Sequence, residues 1–466
     1  MEHEQLLDDI AGFCKQAGIA ESTLGRLAVN DGKFVQRARD GATIGKSTIT
    51  RVYDFMEDVK TGKRVVKGRA RRKRSVASAE VLSEIRESET SVRPYRAHEY
   101  NDERQKHHLL ANTCNEKWVI ADRCYNAMFD MEFKPPAFRI FDGSLGNGIV
   151  TARVLRALHA QHPNIPFQIV AKERGLDDLR NALGRFSDRF LEHPLTVLVV
   201  TNMYFDEATT LTTNSEQSTM PLNWQEVPLK GTTAYDFQQQ ISALHPQLAK
   251  DWRLKTGKDG QPLYEKPNVL VLYREDHKFL LDDVIPRPGY ERPEYDFILA
   301  SHLYSHTASE DFKINKVLKP LAESLAPGGR MLVIQSYGQD PAHDVVKRIW
   351  KDEAPVFVRR EEVINALRSS LRENKRKFTF TGATDKTSLF RFDMHTLPID
   401  PHNEIGTSTL LTAWNNLVYV CQVPEESVDD VMKKNGDFLK VTTDVINEYG
   451  GLWFINESFV MKRSNN

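Results

Sequence analysis

Residues 137–148 read AFRIFDGSLGNG: a short apolar run, an acid, and Gly143, Gly146 and Gly148 close behind it. Glycine lets a ligand lie nearer the backbone than a Cβ would permit. Between a strand and a helix, such a turn aims backbone N–H groups at the ligand. The next apolar run, FQIVAKE, ends in Glu173. An acid there can accept hydrogen bonds from both ribose hydroxyls of a nucleoside cofactor. Far downstream, ASHLYSH (300–306) follows another apolar run and supplies His302, Tyr304 and His306. Histidine titrates near neutrality and suits a general base for a hydroxyl, carboxyl or amine. The plainer reading is a pair of loop histidines that cap backbone groups. Tyr337 and His343, after the following strand, are lesser candidates.

These residues need a frame. From residue 137 apolar runs alternate with helical stretches: AFRIFDGS, GIVTARVLRALHAQ, FQIVAKE, LDDLRNALGRFSDRF, LTVLVVTN. The alternation predicts a parallel sheet covered by helices. It resumes with YDFILASH, INKVLKPLAESLAPGG, RMLVIQSY and PAHDVVKRIWKDE, and LFRFDMHTL, NLVYVCQV and LWFINESFVM read as further strands. The stretch 207–294 is too long for a plain connection. It reads as an insertion that shapes an acceptor pocket, or else as a peripheral or oligomerisation element. Residues 96–136 return to helical spacing and suit a cap, with Tyr100 and Trp118 as pocket-lining or packing residues.

Taken together, DGSLGNG, the acid at Glu173, YDFILASH and LAPGGRMLVI resemble the class I S-adenosylmethionine-dependent methyltransferases. Nicotinamide enzymes share the first half of this pattern but not the Pro-Gly-Gly turn before the fifth strand. The resemblance covers roughly 137–350 and extends from about 96 to the C-terminus. It implies an α/β fold: a Rossmann-like seven-stranded sheet with helices on both faces. It also implies S-adenosyl-L-methionine as cofactor and S-adenosyl-L-homocysteine as product. By position, Asp142, Gly143, Ser144, Gly146 and Gly148 would form the cofactor turn, with Asp142, Gly146 and Gly148 facing the methionine part. Glu173 would bind the ribose, and Thr201 and Asn202 would lie near the adenine. Ser301 and His302 would sit where the fourth strand opens onto the methyl group, and His302 and His306 would be the catalytic candidates. Ser144 departs from the family, which usually has glycine there, so the first turn is expected to be wider. Methyl transfer is an in-line displacement at a sulfonium carbon, so the enzyme mainly positions the acceptor and removes its proton where needed. The Asp/Asn-Pro-Pro-aromatic motif of amino-methylating DNA enzymes and the Pro-Cys of cytosine-C5 enzymes are both absent. A small-molecule acceptor is therefore expected. The alternatives are a regulator that senses the cofactor or a metabolite without turnover, and an enzyme acting on a protein or nucleic acid.

The first 59 residues read as short helices joined by tight turns, with Ser22 or Glu21 and Ser47 as helix caps. They resemble, loosely, the helix-turn-helix domains of phage-repressor type. That likeness would make Ser22, Thr23, Arg26, Lys46, Ser47 and Thr48 candidates for DNA contact within residues 20–75, and a homodimer the expected state. A small helical oligomerisation domain is the rival reading. Residues 60–95 read as a linker, and KTGKRVVKGRARRKR (60–74) carries many basic residues and no acid. Such a run adds salt-sensitive affinity for phosphates. The net charge of only −1 means that the remainder is acidic on balance. With 466 residues, 40% hydrophobic and 27% charged, the chain suits two or three soluble domains. No apolar run approaches the roughly 20 residues of a membrane helix, and the acidic start is no signal peptide, so a cytoplasmic location is expected. Cys14, Cys114, Cys124 and Cys421 show no zinc or disulfide spacing; they read as reduced and buried, and no metal set is expected.

Overall fold

The computed structural model describes residues 2–17, 19–42, 44–61, 63, 97–214, 220–256, 262–289, 294–351, 354–371, 376–382, 384–398, 405–433 and 437–465. Most of the basic run and of the expected linker lies outside them. The chain divides into two compact units, Met1–Ser91 and Val92–Asn466.

Among the described residues, the first unit holds four helices: α1 (Glu2–Ala17), α2 (Glu21–Val29), α3 (Phe34–Arg39) and α4 (Lys46–Lys60). Leu6, Ile10 and Phe13 recur on one face of α1 and close a small core with Leu24, Phe34, Val52 and Phe55. The expected caps are not the ones used. Ala20 and Gly45 occupy the N-cap positions of α2 and α4, in extended conformation and with no side-chain bond. Ser22 and Ser47 fall one residue inside their helices, past the position where a hydroxyl caps.

The second unit begins with α5 (Ala97–Thr113) and α6 (Glu116–Met128). Then come β1 (Phe138–Asp142), α7 (Ile149–Gln161), β2 (Phe167–Lys172), α8 (Leu176–Glu192) and β3 (Thr196–Thr201). A long excursion follows: α9 (Phe205–Thr210), β4 (Asn223–Leu229), α10 (Ala234–Ala243), α11 (His245–Asp251), β5 (Leu254–Thr256), β6 (Pro262–Tyr264) and β7 (Asn268–Arg274). The chain re-enters the main sheet as β8 (Tyr295–Ser301). A π-helical turn (Phe312–Leu318), α12 (Lys319–Glu323), β9 (Leu325–Ser336), α13 (Pro341–Trp350) and α14 (Arg360–Ser370) come next. The remainder is β10 (Phe378–Thr381), α15 (Asp385–Ser388), β11 (Leu389–Asp393), α16 (Thr407–Val420), α17 (Glu425–Lys433), α18 (Asp437–Tyr449) and β12 (Trp453–Arg463).

Ten of the described strands form one sheet in the order β10-β12-β9-β8-β1-β2-β3-β7-β4, with β11 also on β12, and β5 and β6 pair as a separate hairpin. Its middle, β3-β2-β1-β8-β9, is parallel. The long β12 runs antiparallel beside β9, and β10 pairs antiparallel with β12. These seven strands make the expected sheet. The other three extend it: β7 joins β3 antiparallel, β4 joins β7, and β11 takes the other half of β12. β2 (FQIVAK) and β3 (TVLVVT) are buried at every position, as parallel strands covered on both faces must be. β4 is the edge strand, half exposed, and Pro228 is tolerated there because its outer side needs no donor.

Alternate strand residues serve opposite faces. Phe141, Val170, Val199 and Val271 pack under Ile314, Leu321 and Leu367. Ile140, Ile169, Leu198 and Leu270 pack under Leu155, Leu183 and Phe186. A separate cluster around Trp414, Phe392, Phe454 and Val445 fastens the C-terminal helices. Two local expectations change. NLVYVCQV lies at the end of α16 and just beyond it, because Ala413, Trp414, Leu417 and Val418 bury a helical stripe that overrides the strand propensity of its Val and Tyr. The Pro-Gly-Gly stretch belongs to β9 rather than to a turn before it. Its pairing with β8 shifts register between Tyr295 and Phe297, and a Cβ on Gly329 would stand 2.7 Å from Tyr295 O. No helix among the described residues is long and apolar enough to cross a membrane.

Candidate active site

The chain leaves β1 toward β2 on one side and returns as β8 on the other, so the carboxyl ends of β1 and β8 bound the crevice where open α/β sheets bind ligands. Asp142 ends β1 there, 2% exposed. Its Oδ1 accepts from Ser144 N at 3.1 Å and its Oδ2 from the Thr151 hydroxyl. One carboxylate thus ties both ends of the glycine turn, and burial pushes it above the usual carboxylate range. Leu145 N donates to Lys172 O at 2.9 Å, folding the turn across the end of β2. Gly146 (φ 53°) and Gly148 (φ 78°) take left-handed backbone, and Gly148 opens α7. Ser144 is exposed and is not among the residues with positive φ, so nothing in the turn's backbone demands glycine at that place. Gly143 serves packing: a Cβ there would stand 2.7 Å from Leu303.

Glu173, just past β2, is also buried. Its Oε2 accepts from Gly146 N at 2.8 Å and its Oε1 from Gly175 N at 2.7 Å. Burial first, then the Asp178 charge, raises its carboxyl. The acid and the glycine turn are therefore one assembly. Thr201 and Asn202, at the end of β3, are fully buried and already partnered. Thr201 accepts from Met203 N, while Asn202 accepts from Asn268 N at 2.9 Å and donates to Lys266 O at 3.0 Å. Asn202 thereby fastens the start of the inserted β7 to the end of β3, while Thr201 braces the turn that follows its own strand. Trp252, from the same excursion, donates its indole N–H to Glu173 O at 2.9 Å.

On the β8 side, Ser301 ends the strand half-buried, and His302 follows with a left-handed φ of 51°. His302 N donates to Ile334 O at 2.9 Å, which holds the residue at the strand's mouth. Its Nε2 lies 3.3 Å from Glu116 Oε1 and 3.2 Å from the Asn456 side-chain amide. Asn456 Oδ1 is buried with no hydrogen-bond partner. Turning that amide over lets Oδ1 accept from Nε2–H, in agreement with the carboxylate beside it. The pair favours the tautomer with hydrogen on Nε2, which leaves the Nδ1 lone pair free of Glu116. Glu116 is 3% exposed, with Lys117 Nζ 3.0 Å from its other oxygen. Burial opposes its charge, but Lys117 and His302 together hold its carboxyl well below the ordinary range. The start of α6 is fixed by Asn115, whose Oδ1 accepts from Asp393 N at 2.7 Å on β11.

His306 is held differently. Its Nδ1 lies 2.9 Å from Gln422 Oε1, its ring meets Phe357 edge-on at 5.4 Å, and Lys313 Nζ donates to its carbonyl at 2.9 Å. Burial lowers its pKa, keeping it neutral near pH 7. Tyr304 donates to Gln335 Oε1 at 2.9 Å, and Gln335 continues to the buried Glu457 at 2.8 Å. Arg359 sits over the Tyr337 ring at 4.0 Å, and burial lowers His343 to about 4. Trp118 is about half exposed and stacks on His395 at 5.6 Å. Tyr100 lies in α5, where its side chain is outside the described residues. Sequence reasoning missed Glu116, Lys117 and Asn456. An acid and a lysine at the start of a helix read as ordinary first-turn charges, and Asn456 sits in mid-strand without a motif.

No protein-family model matches the chain, and no curated protein matches it. Among solved structures it is similar to phosphoethanolamine N-methyltransferase 2 of Haemonchus contortus in complex with S-adenosyl-L-methionine, at 9% identity over 75% of this chain and 53% of that one, TM-score 0.26. It is similar to the [4+2]-cyclase SpnF at 10% identity over 75% of this chain and 82% of that one, TM-score 0.30. A third is PKMT2 from Rickettsia typhi, at 10% identity over 72% of this chain and 50% of that one, TM-score 0.25. The chain spans about half the length of the Haemonchus and Rickettsia proteins. Likeness at this level says nothing of chemistry.

Proposed function

We propose that the second unit is an S-adenosyl-L-methionine-dependent methyltransferase that acts on a small-molecule acceptor. The observation that carries this reading is the direct bond from Gly146 N to Glu173 Oε2, which joins the glycine turn after β1 to the acid after β2 at the sheet's switch point. Each Glu173 oxygen spends one lone pair on a backbone amide and keeps others for ribose hydroxyls. Asp142 and Glu173 are buried carboxylates, and they suit a ligand with a cationic sulfonium and an ammonium tail. The cofactor, when bound, supplies an activated methyl group. Asp142 holds the turn in shape, and Glu173 orients the nucleoside. Glu116 fixes the His302 ring, so that Nδ1 is the atom that takes a proton from an acceptor at the end of β8. His306 and Tyr304 line the same end. Thr201 and Asn202 lie at the end of β3, the adenine side of the site, with the Asn202 amide already bonded to the insertion.

The test is calorimetric titration of S-adenosyl-L-homocysteine into the wild type, Asp142→Ala and Glu173→Ala. Saturable binding, lost in both variants while they stay folded, is the expected result. No binding to the folded wild type would sink the enzyme reading.

A second reading concerns the first unit, which we propose contacts DNA. Ser22, Arg26, Lys46 and Ser47 are exposed there, and a basic run follows α4 in the sequence. Fluorescence anisotropy with a labelled duplex at two salt concentrations tests it, since phosphate contacts weaken steeply with salt. Salt-insensitive or absent binding, with a dimer in sedimentation, would leave an oligomerisation role.

A further inference from the structure

Beside the glycine turn, α5 and the first turn of α8 enclose a polar cluster with no part in the chemistry above. Asp178 is 0% exposed and His107 5%. Asp178 Oδ1 lies 3.5 Å from His107 Nδ1 and 3.7 Å from His108 Nε2. Both separations are too long for good hydrogen bonds. Asp178 Oδ1 and His107 Nδ1 are buried with no hydrogen-bond partner. Buried polar atoms in native proteins are nearly always satisfied, by protein, water or an ion.

One ligand atom from each of the three residues lies within 4.8 Å of the other two. Around a tetrahedral ion with bonds of about 2.0–2.1 Å, ligand atoms stand about 3.3–3.4 Å apart. The two oxygen–nitrogen separations are already near that, and the two imidazole nitrogens, within 4.8 Å of each other, close the rest by ring rotation. Neighbouring residues on a helix do not face the same way. Here both imidazoles still reach one oxygen, because Asp178 is presented from α8, across from α5.

We propose that His107, His108 and Asp178 form a binding site for a divalent transition-metal ion of the zinc kind, bridging α5 to α8. Two imidazoles with one carboxylate select such ions over magnesium or calcium, which prefer all-oxygen sets. Arg104 Nη1, 3.1 Å from Asp178 Oδ2, holds the second carboxylate oxygen and leaves Oδ1 for the metal. Outer partners of this kind orient ligands. The Arg104 charge opposes a cation, yet the cluster is not basic. Glu173 interacts electrostatically with both Asp178 and Arg104, and Glu116 is paired with Lys117. With Lys172, which also acts on Glu173, three carboxylates face three cations, so the cluster is balanced rather than basic. The site touches the glycine turn: a Cβ on Gly146 would stand 3.4 Å from His107 Cε1. A bound ion would pin the helix that covers that turn. This inference does not rest on the cofactor reading.

The full-length protein, stripped with chelator, is titrated with zinc chloride by calorimetry and with cobalt(II) by visible absorption. One ion per chain is expected, with a rise in Tm on zinc addition. His108→Ala and Asp178→Asn are expected to weaken binding at least about 10-fold. His108 is only partly buried, so His108→Ala is expected to match the chelated wild type in Tm, separating lost ligation from misfolding. Absence of saturable binding by the folded wild type overturns the site, as does equal binding by wild type and both variants.

Discussion

Glu116 and His302 stand far apart in the sequence, one opening α6 and the other following β8, and they meet with Oε1 3.3 Å from Nε2. The same carboxylate is the buried counter-charge of Lys117. Removing one partner of a buried pair leaves the other uncompensated, at about 3–5 kcal/mol. Glu116→Gln is therefore expected to lower stability by about 3 kcal/mol at pH 7, measured by urea unfolding. The pH dependence follows from the depressed carboxyl. Its contribution is present above the unfolded value of 4.5 and is lost as pH falls below it toward the folded value. Wild type and variant should converge on acidification. A gap that stays constant from pH 7 to pH 3 would contradict this assignment.

The turn after β1 makes a separate claim about one glycine. Gly148 has φ 78°, and a Cβ on it would lie 2.8 Å from Ala182 Cα and 2.9 Å from its Cβ. Left-handed backbone costs an L-residue about 1–2 kcal/mol, and a forced core contact about 1–3 more. Gly148→Ala should thus cost about 2–5 kcal/mol and spoil the close packing of α7 on α8. Gly184 is the internal control. It lies within α8 with nothing near its would-be Cβ, so Gly184→Ala should stabilise by about 0.5–1 kcal/mol. Thermal unfolding of both variants checks the pair, and equal effects would mean that the turn does not set the packing.

The turn and its acid were legible because period and punctuation agree there. A run such as VLVVT, short, β-branched and set between helical stretches, reads as a covered strand, and the glycines between a run and a helix mark a turn at the strand's carboxyl end. Other features depended on distant partners. NLVYVCQV has strand propensity, and only the stripe begun by Ala413 and Trp414 makes it helical. Asn202 occupies the expected strand end, yet its partners, Asn268 and Lys266, come from an insertion whose register no local pattern encodes. Glu116 and Asp178 look in sequence like favourable first-turn acids. Burial beside histidines, a tertiary fact, turns them into candidate site residues.

At the opposite end of the strands, His159 and His193 stack with ring centroids 4.3 Å apart and share the Thr196 hydroxyl, each 3.2 Å from it. Burial lowers His159 to about 3, from 6.5. Between those values the unfolded chain binds a proton that the folded one refuses, so stability rises with pH through that window. At pH 5 the loss from this residue is about 2 kcal/mol relative to neutral pH. His159→Leu removes the titration while keeping the site filled. The difference in Tm between pH 7.5 and pH 5 should shrink in the variant, and an unchanged difference would place the acid sensitivity elsewhere.

Trp252 decides whether the excursion between β3 and β8 is part of the site. Its ring is buried, and its indole N–H is bonded to the carbonyl of Glu173. Trp252→Phe keeps most of the packing but leaves that carbonyl without its donor, at about 1–3 kcal/mol. A loosened carbonyl frees the residue whose side chain grips Gly146 N. S-adenosyl-L-homocysteine affinity is therefore expected to fall several-fold in Trp252→Phe, beyond any loss in Trp224→Phe, which sits on edge strand β4 of the same excursion. Calorimetry on the two folded variants makes the comparison. If both bind as the wild type does, the excursion is a decoration on the sheet's edge. If Trp252→Phe alone is impaired, the inserted segment is a wall of the cofactor site, and the acceptor pocket should be sought along its inner face.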